Sequence, residues 1–83
     1  MPRYHFNIRD GDALIADEEG MACEDLDAAR FEARASARDL IAQNLAGGRE
    51  PDGRKIEITE ENGTVIETVS LHDVLYDYAE DRN

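Results

Sequence analysis

Residues 2–9 (PRYHFNIR) alternate without a break: Tyr4, Phe6 and Ile8 fall on one side, Arg3, His5, Asn7 and Arg9 on the other. A period of two over this length predicts a strand with one buried and one wet face. Asp10-Gly11 follows, a dipeptide suited to a two-residue hairpin turn. The return strand is then 12–16, with Arg9 opposite Asp12, Ile8 opposite Ala13 and Phe6 opposite Ile15. In that register Arg9 and Asp12 form a cross-strand ion pair near the turn. The charged stretch Asp17-Glu18-Glu19-Gly20 reads as a turn or exposed loop, and residues 21–24 as either a short third strand or an extended link.

From Asp25 to Gly48 the apolar period changes to that of a helix, and the rest of the chain is organised around this stretch. Leu26, Ala29, Ala33, Ala37, Leu40, Ile41 and Asn44 recur at steps of three and four, which makes one stripe. Its first half is mostly alanine, so the helix can lie close to what it covers, while Leu40, Ile41 and Leu45 supply bulk in the second half. Either Asp25 or Asp27 can cap the start. With Asp25 as the cap, Asp27 sits in the first turn and suits the dipole. With Asp27 as the cap, Leu26 and Phe31 take the two positions of a hydrophobic staple. Gly47-Gly48 is the stop. Phe31, Ala35 and Ala42 lie off the stripe. Arg30, Arg34 and Arg38 run beside it, readable either as a phosphate-binding patch or, preferably for so acidic a chain, as a solvated flank that neutralises acidic loops.

Residues 49–53 (REPDG) have turn chemistry, and 55–60 alternate again with Ile56 and Ile58 inward. A second hairpin follows at Glu61-Asn62-Gly63, read as a three-residue turn with Gly63 left-handed. That turn sets Ile58 against Ile66 and Ile56 against Thr68, whereas a two-residue turn sets Ile58 against Glu67 and fights the pattern. Ser70 and Asp73 form a capping box, and Leu71, Val74, Leu75 and Tyr78 follow a helical stripe, so a short C-terminal helix is expected, with 79–83 frayed. The order is β-β-α-β-β-α. The fold class is α+β: two β-hairpins forming an antiparallel-rich sheet, one long helix across one face and a short C-terminal helix, all in a single domain, 1–83. The strand order does not follow from the sequence.

The composition narrows the function. Twenty Asp and Glu face nine Lys and Arg, a formal charge of −11, which repels nucleic acid and anionic membranes and favours a basic protein partner. There is no run that could span a bilayer and no charged-then-apolar leader, so the expected compartment is the cytoplasm. The single Cys23 cannot form an internal disulfide, and the acidic neighbours in MACEDL disfavour a thiolate, which leaves a structural thiol. An 83-residue chain buries only about 60–65% of its unfolded surface, so self-association would help it.

No constellation reads as catalytic. Asp10-Gly11-Asp12 invites calcium, but Leu14 and Ala16 stand where an EF-hand loop needs oxygen ligands. His5 and His72 have no partner at metal-ligand spacing. There is no phosphate loop, nucleophile elbow or paired-cysteine motif. The expectation is therefore no catalytic residue, no cofactor and no metal. Two candidate interaction surfaces remain. One is the wet face of the first strand, Arg3, His5, Asn7 and Arg9, for an acidic partner or a second copy. The other is Phe31 with Ala35, as a homo-oligomer contact.

The opening M-P-R-Y-x-F-x-I-R-D-G, then D-E-E-G, then D-L-D-A-A-R-x-E-A resembles a family of small bacterial proteins known only as a domain of unknown function. The likeness covers residues 1 to about 60, and the later I-E-I-x-x-E-x-G-x-V agrees. His5 stands where that family commonly has an aromatic residue. The hairpin-link-helix order is also similar in architecture to HicB-type antitoxins, although no C-terminal DNA-binding segment is visible. The first resemblance implies no activity, ligand or site residue. The functional expectation is a small non-enzymatic interaction or regulatory module with an acidic surface, self-associating. The alternative is an antitoxin-like protein that binds a basic toxin partner.

Overall fold

The structure, a computed structural model, describes residues 1–48 and 53–75. Its elements run β1 (Arg3–Asp10), β2 (Ala13–Ile15), β3 (Met21–Ala22), α1 (Leu26–Ala46), β4 (Lys55–Glu60) and β5 (Val65–Ser70), with a helical segment over 71–75. The sheet is antiparallel in the order β2-β1-β4-β5, and β3 pairs with the start of β1 at Arg3 and Tyr4. Residues 21–22 are thus a short strand, and β2 and β3 share the edge of β1 that β4 leaves open. The turn expected at 49–52 and the continuation of the C-terminal helix through Tyr78 to the tail lie outside the described residues.

The first hairpin turns one residue later than expected. Its central residues are Gly11 and Asp12, and the pairs are Asp10 with Ala13, Arg9 with Leu14 and Ile8 with Ile15. Gly11 has φ +61° and no described non-glycine residue has positive φ, whereas a turn on Asp10-Gly11 would force Asp10 into that region. Ile8 consequently faces Ile15 rather than Ala13, a shift of two that keeps both on the same side of the sheet. The Arg9–Asp12 pair does not form; Arg9 Nε donates instead to Glu57 on β4 at 3.3 Å.

The second hairpin keeps the expected turn and changes the register beyond it. Gly63 N–H donates to the Glu60 carbonyl at 2.9 Å, Glu60 N–H to the Thr64 carbonyl at 3.0 Å, and Gly63 has φ +89°. Thr59 pairs with Val65, but the next pair is Ile58 with Glu67, so β5 carries a bulge at Ile66. Ile56 then faces Val69, not Thr68, and Ile58 faces Glu67, not Ile66. The bulge moves Val69 into the core and points Glu67 to the helix side, where Arg30 binds its carboxylate.

Asp25 is the helix cap; its carboxylate accepts from Ala28 N–H at 2.8 Å, and Asp27 in the first turn pairs with Arg30 at 2.7 Å. Glu67's carboxylate, ahead of Asp27's, holds the Arg30 guanidinium above its ordinary value. At the other end Gly48, rather than Gly47, takes the left-handed conformation. Ala29, Ala33 and Ala37 are wholly buried, as are Ile56, Ile58, Leu71 and Val74. The alanines bring α1 close to β4 and β5, the strands it packs on. Leu45 does not add to this core; it points outward, 54% exposed.

Candidate functional site

α1 alone cannot cover this sheet. Four strands about 4.8 Å apart span roughly 14 Å between the outer axes, and a helix with its side chains is about 10 Å across. Since α1 packs most on β4 and β5, the same face of β1 and β2 is only partly covered by the described residues: Tyr4 is buried, Phe6 and Ile8 are half-buried, and Ile15 is exposed. The result is an apolar groove of about 460 Å³ between α1 and the β2–β3 edge. Phe6, Ile8 and Ile56 form its floor, Ile15 and Met21 one wall, and Leu40 the other. Ile15 is 59% exposed and Met21 44%. The charged residues among the described lining are Asp17 and Asp39, both acidic.

Loop 16–20 forms one end of this groove and is fixed from behind. The Asp17 carboxylate accepts from Phe6 N–H at 3.1 Å and from Gly20 N–H at 3.2 Å. Asp17 N–H donates to Asn7 Oδ1 at 2.8 Å, and the Asp17 carbonyl lies 2.6 Å from His5 Nδ1. A carbonyl only accepts, so Nδ1 carries the proton in this contact. Arg3 donates to the Glu19 carbonyl at 2.9 Å, and Asn7 Nδ2 lies 3.5 Å from Thr59 Oγ1.

These contacts change the first candidate surface. Arg3, His5, Asn7 and Arg9 do lie together on the sheet face away from the helix. Each, however, holds a partner within the chain, and together they clamp the loop and join β1 to β4. Phe31 and Ala35 sit on the outer face of α1, with Phe31 67% exposed. The six residues therefore do not form one surface.

Cys23 is buried, its backbone N–H bound to the Pro2 carbonyl at 2.9 Å. Burial first, and then the charges of Glu32 and Asp25, push its thiol above the ordinary range. Among the described residues no three His, Cys, Asp or Glu side chains gather as a metal site, and no helix is long and apolar enough to cross a membrane.

From sequence alone Ile15 and Leu40 look like core residues, since one falls opposite Phe6 in the expected register and the other lies in the apolar stripe of the helix. The available signal was one of width: a single helix of 21 residues faces more strands than it can cover. Met21, a large apolar side chain straight after the charged run 17–20, is the second sign.

Fold and site together define, over the described residues, a two-layer α+β domain whose helical layer leaves a groove over β1 and β2. The chain belongs to the family described as Domain of unknown function (DUF6894), whose model matches residues 3–72 and so spans every groove residue named above. No curated protein and no solved structure matches it.

Proposed function

We propose that this chain is a small non-enzymatic binding module with an acidic surface, and that its working face is the groove beside α1. The carrying observation is the part-covered half of the sheet: Ile15 and Met21 are exposed beside half-buried Phe6 and Ile8, in a groove that no described element fills. Contiguous apolar surface of this kind on a small soluble domain marks an interaction site far more often than scattered exposed residues do. Two side chains with the chemistry for acid–base or nucleophilic work, His5 and Cys23, fit the same reading. His5 is bound to a backbone carbonyl in the loop clamp, and Cys23 is buried with its thiol pushed up.

The test is a comparison of tagged wild type with a double variant, Ile15→Lys and Met21→Lys, in affinity purification from the source cell. Both positions are exposed, so the variant keeps its circular dichroism spectrum. The reading expects at least one protein retained by wild type and lost from the variant. Identical sets on both would overturn it.

A further inference from the structure

We propose that the groove receives a basic amphipathic helix from a partner protein, which completes the second layer of the domain. The inference rests on the binding-module reading and adds the shape and charge of what binds.

The shape comes from the vacancy. Helices packed side by side on a sheet lie about 8–10 Å apart. α1 sits over β4 and β5, and the part-covered strip over β1 and β2, which no described element fills, is about one such interval away. The strip is bounded by Leu40 on one flank and by Ile15 and Met21 on the other. An element laid there meets the half-buried Phe6 and Ile8, which adjoin the buried Ile56 of the core beneath α1. A helix presenting apolar residues at i, i+3, i+4 and i+7 fits this recess as amphipathic helices fit apolar grooves elsewhere.

The charge decides between a second copy and a foreign partner. Asp39 lines the helix wall and Asp17 the loop wall, with Glu18 and Glu19 beside it in the chain. Each copy carries −11, so two copies meeting at this rim bring like charge to like. A helix whose apolar stripe is flanked by Lys or Arg brings the opposite sign to Asp39, which is exposed at the rim. The complementarity favours the basic partner.

The experiment uses the full chain and a synthetic helical peptide with leucine at i, i+3, i+4 and i+7 and lysine elsewhere. Binding is followed by fluorescence anisotropy and by methyl NMR. Two control peptides carry glutamate in place of lysine, or the same composition with the periodicity scrambled. Saturable binding is expected, with shifts concentrated at Ile8, Ile15, Leu40 and Ile56. Ile15→Ser with Met21→Ser should weaken it about tenfold, because part of the apolar contact is lost. Asp39→Lys should weaken it several-fold and flatten its salt dependence.

Three results would each overturn the proposal. The scrambled peptide could bind as well, with shifts spread over the acidic surface. The glutamate peptide could bind equally, which removes the basic partner and leaves the binding-module reading standing. Sedimentation could show a dimer that Ile15→Lys and Met21→Lys dissolve, which makes the occupant a second copy. The binding-module reading itself falls only on the affinity comparison described above, so the two failures are distinct.

Discussion

Gly20→Ala tests whether loop 16–20 is seated as described. Gly20 has φ +70°, and a Cβ built on it would lie 2.7 Å from the Tyr4 carbonyl oxygen and 2.9 Å from His5 Cε1. Real Cβ atoms do not approach a backbone oxygen that closely, so the loop has to lift. Two terms then add. A side chain in the left-handed region costs about 1–2 kcal/mol. Lifting the loop also stretches the bonds from Phe6 N–H and Gly20 N–H to the Asp17 carboxylate. Losing one hydrogen bond to a charged group costs a further ~1.5–3 kcal/mol. The expected loss is therefore roughly 3–4 kcal/mol. For 83 residues the whole stability is about 4–12 kcal/mol, so the variant stands near the edge of folding. Gly63→Ala is the matched control: its φ is +89° but nothing lies within 4 Å of the new Cβ, so only the backbone term applies. Urea unfolding followed by far-UV circular dichroism measures both. At a slope near 1 kcal/mol/M, Gly20→Ala should lower the midpoint by roughly 2 M more than Gly63→Ala does. Equal shifts for the two variants would refute the close approach and the clamped loop with it.

Other perturbations have definite signs. Asp25→Ala removes the carboxylate that accepts from Ala28 N–H, and should cost about 1 kcal/mol in the same urea assay. Asn44 is 5% exposed and its Nδ2 has no hydrogen-bond partner among the described residues, so Asn44→Leu should raise the melting temperature, by several degrees if about 1 kcal/mol is recovered. A fall in melting temperature would show that the amide is satisfied. Cys23 should react slowly with Ellman's reagent in the native chain and rapidly in urea, since its thiol is buried and pushed up. The linkage follows from that direction. The stability it contributes is complete below the unfolded thiol's range and is lost as pH climbs through the folded one, so this group destabilises the fold only on the alkaline side.

The elements were legible because their periods are clean. Tyr4-Phe6-Ile8 and Ile56-Ile58 alternate, and Ala29-Ala33-Ala37 step by four between an aspartate cap and a glycine stop. The registers were not, because each was decided by a local backbone preference. At the first hairpin a non-glycine residue avoids positive φ, which moves the turn onto Gly11-Asp12. At the second, one extra residue is accommodated at Ile66, which lets Val69 rather than Thr68 meet Ile56. A pattern of period two cannot announce a bulge, because the bulge is where the period breaks. The site was hidden for a different reason. Ile15, Leu40 and Phe6 look like ordinary core residues until the sheet order sets β1 and β2 to one side of the strands that α1 packs on.

That order also explains why α1 itself does not close the groove. The alanines of α1 set a short distance to β4 and β5, and the Arg30–Glu67 pair ties the far flank of the helix to the edge strand. A helix drawn toward β5 cannot also centre on β1. Sliding it across would break that ion pair and lift Ala29, Ala33 and Ala37 off the strands they fit. The groove is thus a consequence of the same residues that make the core. Glu67→Val leaves Arg30 tied only to Asp27 on its own helix and frees α1 to move. If the uncovered face is set by that tie, the variant should shift Leu40 and Ser36 toward β1, quenching the exposure of Ile15 to solvent-borne paramagnetic probes. If Ile15 stays as accessible as in wild type, the alanine fit alone holds the helix in place.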